Sequence, residues 1–215
     1  MEKKGRQIIE LLEGAYPDVG GTSLNWSTPL ELLVATILSA QSTDEQINKV
    51  TADLFRKYRT AADYADAPIE KLEEDVRSSG FYRRKAKFIQ EVTRGLVEMH
   101  GGEVPASMED LTALKGIARK TANIILGNAF GIVEGIAVDT HVWRLAHRLG
   151  LSDKKNRDKI EANLMEVFPR EKWLAVNYLL ITHGRRVCDA KKPDCGNCVL
   201  SSICPSAFTF PHNER

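Results

Sequence analysis

All four cysteines of this 215-residue chain lie close together, at Cys188, Cys195, Cys198 and Cys204. Such clustering indicates thiolates that bind a common ligand. Structural zinc sites usually place cysteines in pairs two to four residues apart, and the interval from Cys188 to Cys195 is wider. A cubane iron–sulfur cluster needs four thiolates and tolerates irregular spacing, so the spacing favours a cluster over zinc. A disulfide is disfavoured because no secretory signal precedes it. Nearby basic residues would offset the charge of a cluster and offer contacts to phosphate: Arg185, Arg186, Lys191 and Lys192.

The segment from Leu114 to Ala122 has the composition of a short helix, a tight turn at Gly116 and a second helix. A helix-hairpin-helix presents backbone N–H groups of the turn and of the second helix to a phosphate. Such contacts hold a nucleic-acid backbone without reading its sequence. An ordinary αα-hairpin packed in a core would have the same pattern, and this segment alone does not decide between the two.

Two ionisable residues could carry covalent chemistry. Lys120 lies one or two residues into the second helix of the hairpin, where the positive end of the helix dipole disfavours its charge. A neutral amine is what nucleophilic catalysis at a carbon atom requires, although most lysines are solvated surface residues. Asp139, in Val138-Asp139-Thr140-His141, suits the N-cap of a following helix. Its carboxylate could also be aimed at a reaction centre, but taken alone the residue favours the cap.

A basic stretch surrounds the aromatic pair Phe81 and Tyr82, which is expected in a loop before a helix. The basic residues are Arg77, Arg83, Arg84, Lys85, Lys87 and Arg94. Exposed aromatic side chains beside arginines suit base stacking or insertion into a gap in a duplex. A solvated helix face with a hydrophobic anchor explains the pattern equally simply.

Hydrophobic periodicity predicts that helices position all these residues. Pro29 after Thr28, and Asp44 after Thr43, mark two helix starts. Further helices are predicted at Ile8–Leu12, Pro68–Val76 and Tyr82–His100. A short helix is predicted to begin at Ser107, and after the turn a second one is predicted to end at about Phe130. The last three are predicted from Asp139 or Thr140 to Leu149, over 157–168 and over 171–183. No segment alternates with period two long enough to support a sheet. The predicted fold class is therefore all-α, with residues 22–133 as one helical unit and the remainder as another.

Composition limits the possible classes of protein. Hydrophobic residues make up 43% of the chain and charged residues 27%, which is ordinary for a globular protein and excludes disorder as the default. The net charge of +1 excludes a uniformly basic coat but leaves room for a basic face. No apolar run approaches the ~20 residues of a membrane span. Residues 1–6 lead into an amphipathic helix rather than a signal peptide, so secretion is not expected.

Taken together, these residues resemble the endonuclease III family of DNA glycosylases, over nearly the whole chain. The resemblance rests on motifs in a fixed order: the segment 38–44 (Leu-Ser-Ala-Gln-Ser-Thr-Asp), Lys120-Thr121-Ala122-Asn123, Val138-Asp139-Thr140-His141, His183-Gly184-Arg185 and the four cysteines. It implies a six-helix domain over 22–133 that contains the helix-hairpin-helix at about 107–130. It also implies an iron–sulfur domain of 1–21 plus 134–215, with a [4Fe-4S] cluster on the four cysteines of the loop 188–204. In the family this cluster is generally structural rather than catalytic.

The resemblance also implies roles for single residues. Lys120 matches the nucleophilic lysine of the bifunctional members, and Asp139 matches a carboxylate shared across the superfamily. Gln41 matches a residue that fills the gap left by a flipped nucleotide, and Phe81 falls where the family often has an aliphatic wedge. The other expected DNA contacts are Arg84, Leu114, Lys115, Gly116, Ile117, Ala118, His141 and Lys191, with Ser39 and Asp44 near the cleft.

Two hairpin positions depart from the family's common Leu-Pro-Gly-Val-Gly. Lys115 replaces the proline. Loss of the proline loosens the turn in the unfolded chain and is expected to cost a little stability, while the lysine offers a further phosphate contact. Ala118 replaces the last glycine, which predicts that this position does not need a positive φ. Neither change removes the backbone amides of the hairpin.

The resemblance implies a glycosylase and abasic-site lyase that removes oxidised pyrimidines and nicks the strand 3′ to the lesion by β-elimination. One rival is a monofunctional mismatch glycosylase for adenine or for thymine and uracil, which lacks a lysine at the position of Lys120. A second rival is a non-catalytic DNA-binding module, against which the presence of both Lys120 and Asp139 argues. The expected partner is double-stranded DNA with damaged bases or abasic sites. We expect a monomer without membrane association, located in the cytoplasm at the nucleoid if the source is prokaryotic.

Overall fold

The computed structural model describes residues 2–210, and every regular element in this range is a helix. The all-α prediction is therefore confirmed for this part of the chain. The α-helices are α1 (Glu2–Ala15), α2 (Pro29–Leu38), α3 (Asp44–Lys57), α4 (Ala61–Ala65), α5 (Ile69–Asp75), α6 (Tyr82–His100), α7 (Met108–Ala113), α8 (Arg119–Ile125), α9 (Thr140–Arg148), α10 (Arg157–Val167) and α11 (Trp173–Arg186). None of these helices is long and apolar enough to cross a membrane.

The chain forms two compact units. One is continuous, Ser23–Ile132, and is called the hairpin unit here because it contains α7 and α8. The other combines Met1–Thr22 with Val133–Arg215 and is called the cysteine unit because it contains all four cysteines. Each unit has its own hydrophobic core.

The hairpin unit is built around α6, its longest helix. This helix packs against α2, α4 and α5. Its buried apolar residues recur at helical spacing, at Ala86, Ile89, Val92 and Leu96, as the periodicity predicts. Gly101 ends α6 with a left-handed φ of +61°, a conformation in which helices commonly terminate. The core of this unit thus gives α7 and α8 a fixed surface to pack on.

Side-chain caps set several helix starts in the hairpin unit. Thr28 accepts a hydrogen bond from the Glu31 amide, and Thr43 accepts one from the Gln46 amide, as their positions before α2 and α3 predict. The five-residue helix α4 was not predicted, because its apolar pattern is too short to show a period. The one sequence feature that indicates this helix is the capping box formed by Thr60 and Asp63 at its start.

In the cysteine unit, α11 packs against α1 and α9, and α10 packs against the same two helices. The shared core includes Ile8, Leu12, Val142, Leu145, Leu164 and Leu180. Predicted helix boundaries shift by one to three residues: α9 ends at Arg148 and α10 at Val167. A 3-10 turn at Arg170–Lys172 delays α11 until Trp173, and this helix continues to Arg186. The cysteine segment follows α11 and is irregular apart from a short 3-10 turn at Cys195–Asn197.

Candidate functional site

The turn between α7 and α8 is anchored from within the hairpin unit. Gly116 has a φ of +86°, which glycine adopts without strain. A Cβ at this position would lie 2.5 Å from the Phe88 ring of α6, so the close approach also requires glycine. The side chains of Leu114 and Ile117 are 1% and 4% exposed. These two side chains therefore hold the turn on the core and cannot reach a bound molecule.

The hairpin amides divide into two groups. Those of Leu114 and Ile117 donate to the carbonyls of Leu111 and Leu114, at 3.3 and 3.0 Å. The amides of Lys115, Gly116 and Ala118 make no hydrogen bond with any residue in the range 2–210, and all three residues are exposed. The turn thus offers three N–H donors in four residues to an external acceptor.

The two departures in the hairpin are accommodated without strain. Ala118 has a φ of −85° and a ψ of 159°, so the expectation that this position needs no positive φ is met. Lys115 is exposed, and its Nζ lies 3.6 Å from Oε2 of Glu91 on α6. A pair at this distance whose lysine is exposed contributes little stability, so the lysine can exchange this partner for another anion.

Lys120 is the second residue of α8 and is exposed. The residue before the helix, Ala118, has no side chain that can cap it. The N-terminal end of α8 therefore lacks a capping hydroxyl or carboxylate that would offset the positive end of its dipole. An exposed amine beside such an end meets an anionic partner favourably.

Gln41 and Phe81 lie in two loops of the hairpin unit and share an unusual backbone. Their φ values are +56° and +50°, in the left-handed region that costs a non-glycine residue about 1–2 kcal/mol. Both side chains are exposed, and 60% of Phe81 is accessible. Its neighbour Tyr82 is half-buried. Each loop thus presents one side chain from a strained backbone.

Lys85 is part of the basic stretch but does not lie on a solvated face. Its side chain is buried, with 5% exposed, and its Nζ donates to the carbonyl of Leu38 at 2.7 Å and to that of Ser79 at 2.6 Å. A third bond, of 3.0 Å, goes to Oγ of Ser42. Burial lowers the pKa of Lys85. Of the basic stretch, Arg84 is exposed and has no ion pair with the described residues.

Ser39 and Asp44 both serve the local fold. The hydroxyl of Ser39 donates to the Thr36 carbonyl at 2.9 Å, at the end of α2. The Oδ2 atom of Asp44 accepts from the Ser23 hydroxyl at 2.6 Å, at the start of α3. Both side chains are half-buried, so each flanks the Gln41 loop with its polar atoms already engaged.

In the cysteine unit, Asp139 is the N-cap of α9. Its Oδ1 accepts from the amides of His141 and Val142, at 2.8 Å each. The Oδ2 atom accepts no hydrogen bond from the residues that the structure describes. The preceding segment is held by Asn177, whose Nδ2 donates to the Ala137 carbonyl, and by Arg157, which donates to the Val138 carbonyl at 3.2 Å. One carboxylate oxygen is thus fixed while the other remains available.

His141 packs beside this carboxylate. Burial lowers its pKa, as do the charges of Arg144 and Arg185, against a raising contribution from Asp139. Its Nδ1 lies 3.1 Å from Nη2 of Arg144, which also donates to the Gly184 carbonyl at 2.8 Å. A Cβ on Gly184 would lie 3.1 Å from both side chains, so this glycine lets α9 and α11 approach.

The four cysteines line one pocket of the cysteine unit. Burial raises the pKa of the Cys198 and Cys204 thiols, and the neighbouring cysteines raise it further. Among residues 2–210, no three side chains of the His, Cys, Asp or Glu type converge closely enough to hold a single metal ion. The four thiols therefore share one pocket.

Two residues hold this pocket: Arg148, which the sequence did not single out, and His183, which belongs to a motif of the resemblance but had no role assigned to it. Arg148 of α9 places Nη1 3.2 Å from the Cys188 sulfur and donates to the carbonyls of Asp189 and Ala190, at 2.7 and 2.8 Å. His183 is 1% exposed, and its Nε2 lies 3.3 Å from the Cys198 sulfur. Its Nδ1 bonds to the Tyr16 hydroxyl at 2.9 Å. A basic residue in the last turn of a helix is common, so nothing in the sequence marked Arg148.

Lys191 lies in the loop between the first two cysteines and is exposed. Its amide and that of Lys192 donate to Oδ1 of Asp189, at 2.8 and 3.1 Å. The backbone is therefore engaged within the loop, and the ammonium is the part of Lys191 that can reach another molecule.

The sequence of this chain is similar to one family of known proteins. Residues 34–170 match the HhH-GPD superfamily, described as base excision DNA repair proteins. Endonuclease III of Synechocystis is 49% identical over 207 residues, covering 96% of this chain and 94% of the relative. Endonuclease III of Escherichia coli K12 is 42% identical over 183 residues, covering 85% and 86%.

Solved structures agree with the sequence relatives. A non-covalent endonuclease III–DNA complex superposes with a TM-score of 0.91 at 40% identity, over 97% of each chain. A trapped endonuclease III–DNA covalent intermediate gives 0.91 at 40% identity, over 97% of this chain and 98% of the other. A thermostable thymine-DNA glycosylase, at 21% identity and a TM-score of 0.86, shares the fold. The chain therefore belongs to the endonuclease III family of the HhH-GPD superfamily, and it is a DNA glycosylase and abasic-site lyase of base excision repair.

Proposed function

We propose that this chain removes oxidised pyrimidines from duplex DNA and then nicks the strand 3′ to the resulting abasic site. The observation that carries the proposal is Lys120, an exposed amine in the first turn of α8, directly after the hairpin turn. Monofunctional relatives have no lysine at this position. We further propose that the enzyme is a monomer that acts on damaged or abasic double-stranded DNA and that, if its source is prokaryotic, it works in the cytoplasm at the nucleoid.

The hairpin is proposed to bind the DNA backbone. The amides of Lys115, Gly116 and Ala118 are exposed donors, which suits a phosphate oxygen. Phosphate contacts of this kind position the duplex without reading its sequence. The exposed charges of Arg84 and Lys191 are suited to neighbouring phosphates, and the Lys115 ammonium can leave Glu91 for the same purpose.

The target base cannot be reached inside the stack, so the nucleotide must be turned out of the helix before chemistry. Turning it out leaves a gap that costs a few kcal/mol of lost stacking. We assign Gln41 to fill this gap and Phe81 to wedge beside it. Support comes from their exposure and from their left-handed backbones, since strain of this type concentrates where a side chain must be held for a function.

The proposed chemistry uses Lys120 as nucleophile. Its neutral Nζ forms a bond to C1′ while the glycosidic bond breaks and the base leaves with the electron pair. The nitrogen, having lost a proton, then expels O4′, which takes up a proton, and a protonated imine forms between Lys120 and the sugar. Loss of a C2′ proton and cleavage of the C3′–O bond release the 3′ phosphate, which is the β-elimination that nicks the strand.

Asp139 is proposed to take the proton from Lys120 or to stabilise the positive charge that develops on the sugar. Its geometry suits this use, because Oδ1 holds the start of α9 while Oδ2 accepts no hydrogen bond from the described residues. The capping amides fix the carboxylate in one rotamer. One residue thereby combines the cap and the catalytic base, which were alternatives at the level of sequence.

Cys188, Cys195, Cys198 and Cys204 are proposed to hold a [4Fe-4S] cluster. Their thiols fit such a group because all four line one pocket, and a cubane takes four thiolates, one for each iron. The cluster, when bound, supplies a rigid cross-link and a positive centre for thiolates that otherwise raise one another's pKa. Arg148 and His183 orient Cys188 and Cys198 around it.

Lys120→Gln should abolish borohydride trapping of a protein–DNA adduct on abasic or oxidised-pyrimidine DNA, by on the order of a thousandfold or more. An amide cannot form the imine, whereas binding to the lesion should persist because the hairpin amides remain. Lys115→Gln is the matched control, since it removes a nearby exposed amine. Trapping that survives in Lys120→Gln and disappears in Lys115→Gln would move the nucleophile and contradict the assignment.

Asp139→Asn should lower single-turnover base excision by roughly a hundredfold or more, with DNA affinity nearly unchanged. Asparagine caps helices about as well as aspartate, so the free energy of unfolding should change by less than ~1 kcal/mol. Thermal unfolding of the same preparation checks this point. If excision falls only in proportion to the folded fraction, Asp139 is a cap and no more.

The purified protein should contain about four iron atoms per chain. Cys198→Ala should lose iron and weaken DNA binding, because three thiolates hold a cubane poorly. Ser201→Ala, which changes a residue of the same pocket that is not a thiol, should retain full iron content. Metal analysis that finds stoichiometric zinc and no iron in the unmodified protein would refute the cluster.

A further inference from the structure

The buried ammonium of Lys85 joins three segments of the hairpin unit. It reaches the last carbonyl of α2 at Leu38, the hydroxyl of Ser42 in the following loop, and the carbonyl of Ser79 before α6. An ammonium has three N–H donors, and each finds one oxygen at 2.6–3.0 Å. A second link joins the two loops directly, because the Ser42 hydroxyl also donates to the Ser79 carbonyl.

This arrangement is costly for a residue that only stabilises the fold. The ammonium has no carboxylate partner among the described residues, and its burial carries a desolvation penalty that three neutral oxygens only partly offset. Well-packed apolar side chains often replace buried charges without loss of stability. Packing alone therefore does not explain a lysine at this position.

Two of the segments that Lys85 binds, at Ser42 and at Ser79, lie next to the residues with left-handed backbones. Gln41 directly precedes Ser42, and Phe81 follows Ser79 by two residues. Between Ser79 and Phe81, Gly80 has a φ of +70°, and a Cβ on it would lie 3.8 Å from the Ser42 hydroxyl. Each left-handed residue thus lies within two positions of a residue whose oxygen Lys85 binds. Left-handed residues persist only where surrounding contacts determine them.

We propose that Lys85 is a positioning residue that holds Gln41 and Phe81 in the geometry needed to enter the duplex. The inference rests on the proposed insertion of these two side chains. Lys85 touches neither DNA nor the reacting atoms. By fixing both loops before binding, it removes the cost of ordering them at the moment when the nucleotide turns out of the helix.

The first test compares two buried polar residues of α6. Lys85→Met removes the three bonds to Leu38, Ser42 and Ser79 and puts an unbranched apolar side chain in place of the lysine. Gln90→Met is the matched control, because Gln90 is buried and its Nε2 donates to the Ala67 carbonyl at 2.8 Å, away from both loops. Each variant is assayed for single-turnover excision and for fluorescence of 2-aminopurine placed opposite the lesion, which reports insertion.

We expect Lys85→Met to slow excision by about tenfold to a hundredfold and to remove most of the 2-aminopurine signal, as misplacement by about 1 Å does elsewhere. Gln90→Met should remain within about twofold on both readouts, although it loses a buried hydrogen bond of comparable kind. Equal losses in the two variants would mean that Lys85 acts through stability alone and would overturn the proposal.

A double-mutant cycle gives the second test. In a Gln41→Ala/Phe81→Ala background, Lys85→Met should slow excision no further, because the side chains that it positions are gone. Fully additive effects would overturn the positioning role while leaving insertion intact. If Gln41→Ala/Phe81→Ala itself leaves excision and fluorescence unchanged, the insertion step proposed above fails, and the positioning role fails with it.

Ser42→Ala provides a variant that keeps the lysine. It removes one acceptor of the ammonium and the direct bond between the loops, so it should produce a smaller loss in the same direction on both readouts. This variant decides the question if Lys85→Met does not fold. A wild-type 2-aminopurine signal in Ser42→Ala together with wild-type excision would count against the proposal.

Discussion

Loops have no repeating hydrogen-bond ladder, so a loop that must present a side chain at a fixed point needs an anchor from a neighbouring helix. This constraint recurs throughout the structure. Phe88 of α6 lies against Gly116 and fixes the hairpin turn, and three bonds from Lys85 fix the loops of Gln41 and Phe81. Arg148 of α9 binds the cysteine loop through main-chain carbonyls in the same manner. The helical cores serve chiefly to hold these anchors in place.

The charged residues differ in how many of their polar atoms are bonded inside the fold. Asp139 uses one oxygen to cap α9 and is proposed to use the other in catalysis. Lys85, by contrast, uses every proton of its ammonium inside the fold, which explains how a lysine of the basic stretch becomes internal. The charges at Arg84, Lys115 and Lys191 remain exposed. A chain with a net charge of only +1 can thus still bind a polyanion, because Lys115 lies among the exposed hairpin amides and Arg84 and Lys191 add exposed charges.

Much of the fold was predictable from periodicity and caps. The Tyr82–His100 helix and the starts at Thr28 and Thr43 follow from patterns within a few residues, and the structure agrees with them. The turn at Gly116 was also evident, because glycine between two short helices has a specific conformational meaning. Local pattern suggested roles for Phe81, Lys120 and Asp139 beside plainer alternatives. The resemblance to a family decided between them, and it alone supplied the role of Gln41.

Other features could not be predicted, because they depend on contacts between residues distant in sequence. A lysine among arginines indicates a solvated face, and only the positions of Leu38 and Ser79 reveal that Lys85 is internal. The roles of His183 and Arg148 beside the cysteines likewise depend on how α9 and α11 pack. The buried side chains of Leu114 and Ile117 show that a hairpin motif gives the residues but not which of their atoms face outward.

The central claim is that one amine, the side chain of Lys120, forms the covalent bond with the sugar. The most direct measurement reduces the unmodified protein on abasic DNA with borohydride, digests the adduct, and locates the modified residue by mass spectrometry. The account predicts a single sugar-modified peptide with the modification on Lys120. A modification on Lys115, on another lysine or on the N-terminal amine would contradict it.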